Sequence, residues 1–116
     1  MKKDDNIYLH DILDAISDIE QIIKDLDEMK FCKNISAKHA VVRCIEIIGE
    51  ASKHTTKEFR RKYDDVPWSD MCKMRDKAIH DYSGVDYSII WKVAKIEIPE
   101  IKEKLEAILK GMKSQE

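Results

Sequence analysis

Arg75, His80 and Tyr82 stand within one short stretch, Arg75-Asp76-Lys77-Ala78-Ile79-His80-Asp81-Tyr82. A guanidinium offers a fork of donors to phosphate oxygens, and an imidazole exchanges a proton near neutral pH, so the pair suits phosphate chemistry. Their spacing is awkward for a single helix. Residues five apart diverge by about 140° at 3.6 residues per turn, so Arg75 and His80 meet around one ligand only if Arg75 reaches back or the helix loosens. Tyr82, two residues beyond His80, diverges further unless the helix has already ended. Taken alone, these residues read first as a structural histidine beside a surface arginine, since short Arg-and-His spacings arise often by chance.

Other chemistry-bearing residues carry weaker patterns. The run Lys53-His54-Thr55-Thr56-Lys57-Glu58-Phe59-Arg60-Arg61-Lys62 is the most basic of the chain. Lys57, Arg60 and Arg61 are its candidates for a phosphate-contacting surface, against the plainer reading of a solvated face. Glu46 and Glu50, one turn apart, form either a carboxylate pair or, with Arg43 and Lys53 close by, a surface charge network. His10, His39 and His54 are scattered, and His39 with Cys44 lacks two further ligands at metal spacing, so no metal site and no cofactor is indicated. Trp68 and Trp91 sit among apolar neighbours and read as core anchors.

These residues need elements to position them. The chain has 116 residues, enough for one domain spanning 1–116 that buries roughly 65% of its unfolded surface. Three Gly and two Pro against 38% charged and 43% hydrophobic residues leave turn-rich β architectures without turn residues and point to an all-α bundle of four to five helices. A formal net charge of −2 excludes nucleic-acid binding through bulk positive charge, though not through a local patch. Cys32, Cys44 and Cys72 are odd in number and widely spaced, which suits a reducing interior. Met1-Lys2-Lys3 leads into Asp4-Asp5-Asn6, and no apolar run approaches the roughly 18 residues of a membrane span, so a cytoplasmic protein is expected.

Leu9, Ile12, Ile16, Ile19, Ile23 and Leu26 form one stripe on a helix over about residues 6–29, with Asp4, Asp5 or Asn6 as its cap and a loop over 30–34. Ser36 is the expected cap of a second helix with core positions Ala37, Val41, Cys44, Ile48 and Ala51. A short helix is expected after Thr55 or Thr56. Pro67 breaks the chain, Ser69 caps a third long helix through Met71, Met74 and Ala78 toward Tyr82, and Gly84 ends it. Asp86 caps the last helix, which carries Ile90, Ala94, Ile101, Leu105 and Ile108 to about Lys110, with a kink or break near Glu97 to Pro99.

Arg75, four residues, His80, one residue and Tyr82 resemble the Arg-x4-His-x-Tyr motif of HepT-like toxins, a branch of the HEPN superfamily of helical ribonucleases. The blocks AVVRCIEIIGEASK (40–53), VPWSDMCKMRDKAIHDYSGVD (66–86) and IPEIKEKLEAIL (98–109) are similar to that family's blocks in the same order. Asp76 is the usual polar residue after the arginine, whereas Ser83 stands where many relatives carry an aromatic.

The resemblance implies an up-down HEPN bundle acting as a homodimer, with two motif copies lining one interface cleft. It implies a metal-independent endoribonuclease, the toxin of a type VII toxin-antitoxin system. His80 would be general base or acid at the ribose 2′-hydroxyl, and Arg75 would neutralise charge on the pentacoordinate phosphate. Across a two-fold axis, an Arg75 and a His80 that diverge on one helix can converge. Asp76 either orients Arg75 or His80 or balances charge locally. Tyr82 is implied as the acceptor of AMP from a MntA-like nucleotidyltransferase antitoxin. The alternative is a non-catalytic helical HEPN module that binds a nucleotide or a partner protein; the presence of both Arg75 and His80 favours the enzyme.

Overall fold

Capping chemistry sets where each helix begins. In the computed structural model, which describes residues 4–80 and 84–114, Asp4 accepts the Ile7 N–H and opens helix α1, Asp5–Ile23. The apolar stripe of this helix is buried as expected, with Leu9, Ile12, Ile16 and Ile19 fully inside. The helix is shorter than the expected 6–29. The chain turns at residues 24–27, and Asp27 then accepts the Lys30 N–H to start a second helix, α2, Glu28–Lys33, where a loop was expected. Phe31 explains the difference. Its fully buried ring packs at 5.4 Å from Trp91 and 6.5 Å from Tyr87, which anchors a helix too short to stand by propensity.

Helix α3, Ile35–His54, is capped by Asn34, not by Ser36: the Asn34 Oδ1 accepts the Ala37 N–H at 2.9 Å. Ala37, Val41, Cys44, Ile48 and Ala51 are all buried, joined by Ile45 and Gly49. Truncating a fully enclosed member such as Ile48 to Ala costs about 2–5 kcal/mol in cores of this kind. Thr56 caps α4, Lys57–Lys62, and its own backbone N–H and hydroxyl are both held at 2.7 Å by Asp5, which ties α4 to the start of α1. Thr55 instead donates its hydroxyl to the Ser52 carbonyl.

Helix α5, Trp68–Ala78, differs from expectation at both ends. Pro67 precedes it without a side-chain cap, so Ser69 is not the cap. The buried Trp68 fixes the first turn, its indole donating to the Tyr63 carbonyl at 3.0 Å and its ring lying 5.7 Å from Phe59. The helix stops at Ala78, short of Tyr82. Ile79–His80 (β1) pairs antiparallel with Gly84–Val85 (β2), so Gly84, at φ +84°, belongs to this ladder instead of terminating a helix.

Asp86 caps α6, Tyr87–Lys92, as expected. The last helix is not broken at Pro99, and the irregularity expected near Glu97 to Pro99 takes the form of a π-helical turn just before it. A π-helical turn, Val93–Glu97, joins α6 to α7, Ile98–Ser114, and the Ile98 N–H reaches back five residues to the Val93 carbonyl. The wider turn accommodates the proline, which lacks an N–H, in the first turn of α7. Helix α7 also runs past Lys110. The described residues therefore hold seven α-helices, with the short α2 and α4 adding to the larger elements α1, α3, α5 and α6–α7. Helix α1 packs along α3, α3 against α5, and α7 closes on α1, within extents of 45 × 30 × 26 Å. Among the described residues, no helix is long and apolar enough to cross a membrane.

Candidate active site

Gly49 marks where α3 comes near α5. A Cβ placed there would meet the carbonyl oxygens of Met71 and Cys72 at 3.5 Å, an ordinary contact, so alanine fits and only a bulkier side chain would press on α5. Over this close approach, Arg43, Glu46, Glu50 and Lys53, spaced three or four apart on one face of α3, meet Cys72, Arg75 and Asp76 of α5. They line a cleft of about 90 Å³. Its charges balance, with three cations and three carboxylates.

Arg75 lies in the last turn of α5. Its Nε is 3.8 Å from the Glu46 Oε2, and its side chain remains 52% exposed, so a ligand can reach the guanidinium. Asp76 is exposed and lines the same cleft. The expected charge network on α3 is present only in part. Glu50 does contact Lys53 at 3.7 Å, and His54 at 3.9 Å, but Glu46 turns to Arg75 on the neighbouring helix. Nothing in the spacing of a single helix signals that pairing; Gly49 in mid-helix was the available sign of a close neighbour.

Beyond Ala78 the backbone becomes extended. Ile79 pairs with Val85 and His80 with Gly84, and the Asp86 N–H donates to the Ala78 carbonyl at 2.7 Å. Lys77 bonds Glu97 at 3.1 Å, holding the end of α5 against the π-helical turn. The 140° divergence between Arg75 and His80 thus applies to a helix that has already ended, because each extended residue advances about 3.3 Å and alternates its side-chain direction. The His80 side chain and the whole of Tyr82 lie outside the described residues.

Of the basic stretch, only Lys53 lines this cleft; Lys57, Arg60 and Arg61 do not. Phe59 buries α4 against Tyr63 and Trp68, leaving Lys57 and Arg61 exposed and Arg60 half-buried. Trp68 opens α5, and Arg75 follows two turns later, about 10 Å along the axis. Arg43 and Lys53 supply the cleft's other positive charges instead.

The remaining candidates fall to structural roles. His54 stacks on Tyr8 at 5.5 Å, and His10 and His39 are exposed. Burial pushes the Cys44 thiol up, with Asp18 adding to the effect and Arg43 opposing it, so it stays protonated in the core. Trp68 is buried and Trp91 half-buried against Phe31, both as anchors. Among the described residues, no three His, Cys, Asp or Glu side chains gather closely enough to hold a metal ion.

A family model described as "Ribonuclease HepT-like" matches residues 12–108. A Methanocaldococcus jannaschii protein that bears an RNase name is 47% identical over 111 residues, 96% of this chain and 96% of that protein. A second RNase-named protein of the same organism is 44% identical over 115 residues, 99% of this chain and 95% of its own. A Thermococcus cleftensis protein bearing the name ribonuclease HepT is 42% identical over 110 residues, covering 95% of this chain and all of that protein. No solved structure matches the chain at comparable significance.

Proposed function

The chain belongs to the HepT-like ribonuclease family, and from that premise we propose that it is an RNA-cleaving enzyme acting without metal, with Arg75 and His80 as its catalytic pair. The observation that carries the reading is the end of α5 at Ala78, which frees His80 from the helical phase of Arg75 while leaving Arg75 open to a ligand. In this mechanism His80 takes the proton of a ribose 2′-hydroxyl, the oxygen attacks the adjacent phosphorus, and the 5′-oxygen leaves with a proton returned by a protonated imidazole. Arg75 stabilises the charge that grows on the phosphoryl oxygens. The products are a 2′,3′-cyclic phosphate and a 5′-hydroxyl. DNA is inert to this reaction because it has no 2′-hydroxyl.

The rest of the proposal follows from the family. The chain acts in the cytoplasm as a homodimer whose two motifs share one cleft, and as the toxin of a type VII toxin-antitoxin pair. Its MntA-like nucleotidyltransferase partner adds AMP to Tyr82. Asp76, on the cleft beside Arg75, supports the pair, and Lys57, Arg60 and Arg61 extend RNA contact along α4.

The test is RNA cleavage in excess chelator by the purified protein and by Arg75→Ala and His80→Ala. Losses on the order of 100-fold or more, with circular dichroism unchanged, are expected for a positioned acid-base group and its electrostatic partner. Cleavage that persists in His80→Ala, or that stops with chelator, would remove the assignment.

A further inference from the structure

The cleft presents a conflict that its ribonuclease role does not resolve. A site meant to hold a phosphate sets a carboxylate, Glu46, against its central guanidinium. A half-exposed ion pair at 3.8 Å contributes little to stability, so the fold gives no strong reason for Glu46 to be there. Its electrostatic effect on an incoming phosphate is repulsive.

The geometry points to Glu46 as a positioning residue for Arg75, an inference that rests on the ribonuclease reading above. The contact is made to Nε, on the inner edge of the guanidinium, which leaves the terminal Nη fork for phosphoryl oxygens. Arginine has a long, freely rotating stem, and Arg75 stands exposed in a final helical turn, where a free side chain samples many rotamers. Glu46 restricts it from a different helix. The carboxylate is held on α3, which packs directly against α5 near Gly49, and the end of α5 is held by Lys77 on Glu97. The guanidinium is thereby oriented before RNA arrives, so that orientation is not lost to each binding event. The carboxylate weakens RNA binding and strengthens the transition state.

These opposed effects make the inference testable. Steady-state cleavage of a fluorescent RNA is measured for the wild type, Glu46→Gln, Glu46→Asp, Arg75→Lys and the Glu46→Gln/Arg75→Lys double variant, each checked by thermal unfolding. Glu46→Gln is expected to lower kcat by roughly three- to fivefold while KM stays level or falls, the size of effect a half-exposed pair can supply. Glu46→Asp should recover part of the loss. In the Arg75→Lys background, Glu46→Gln should leave kcat unchanged within about 1.5-fold, because the guanidinium it orients is gone. A falling KM with kcat unchanged would mean that Glu46 is only a surface charge and would overturn the inference alone. Equal losses with and without Arg75 would overturn it too, since Glu46 would then act independently. A wild type whose cleavage survives Arg75→Ala would remove the ribonuclease reading and the inference together.

Discussion

At the residue scale, the candidate site depends on one exposed cation whose surroundings are more ordered than its exposure suggests. Arg75 is half open to solvent, yet Glu46 meets it from α3 and Asp76 shares its cleft. Tyr82 stands in sequence between His80 and Gly84, the two residues paired in the small ladder. AMP on its hydroxyl would bring a phosphate and a bulky base toward the donors meant for RNA. The other tyrosines beyond α1 are engaged elsewhere. Tyr63 packs edge-on against Phe59 at 5.0 Å, and Tyr87 lies against Phe31 with the Lys38 ammonium 4.5 Å from its ring centre. Co-expression with the cognate nucleotidyltransferase should therefore give an AMP mass increment on Tyr82 and a folded, inactive product. Tyr82→Phe should stay active and escape neutralisation. An increment mapping to Tyr63 or Tyr87, or none, would refute this role. The motif residues were legible because their types and order are distinctive. The partner of Glu46 was not, because i,i+3 and i,i+4 logic sees only one helix at a time.

At the element scale, α4 is a basic helix whose residues do not line the cleft. Asp5 fixes its cap and Phe59 its buried face, so Lys57 and Arg61 are presented outward from a firm base. If these side chains and Arg60 meet RNA phosphates, Lys57→Glu/Arg60→Glu/Arg61→Glu should weaken RNA binding and reduce the slope of log affinity against log salt by roughly one per lost phosphate contact. An unchanged slope would return α4 to the solvated-face reading. The long apolar stripes of α1, α3 and α7 were readable because burial repeats at helical spacing over several turns. The boundaries were less so. Asn34 and Ser36, and likewise Thr55 and Thr56, offer competing caps two or one residues apart, and only the folded backbone selects between them. Helix α2 depends on the aromatic contacts of Phe31 with α6, a tertiary cause invisible to local periodicity. The end of α5 depends on the pairing of Ile79 with Val85, again a contact between separated residues. Pro99 signals a kink or a break near Glu97, but not its form, because a π-helical turn has no sequence signature of its own.

At the scale of the whole molecule, balanced charge in the cleft and a net charge of −2 leave little bulk attraction for RNA, so productive binding must come from local geometry. A cleft shared by two copies would supply a second set of cations. Sedimentation at micromolar concentration should show a species of twice 13.6 kDa; a monomer alone would remove the shared cleft. The central claim is that this cleft directs a ribose hydroxyl at its own phosphate, and the chemistry of the cut ends tests it most directly. RNA digested in excess chelator, beside a 2′-O-methylated oligonucleotide of the same sequence, is to be analysed by mass spectrometry. Fragments ending in 2′,3′-cyclic phosphate and 5′-hydroxyl, with the methylated strand intact, are the predicted result. Ends bearing 5′-phosphate and 3′-hydroxyl, or cleavage of the methylated strand, would contradict it.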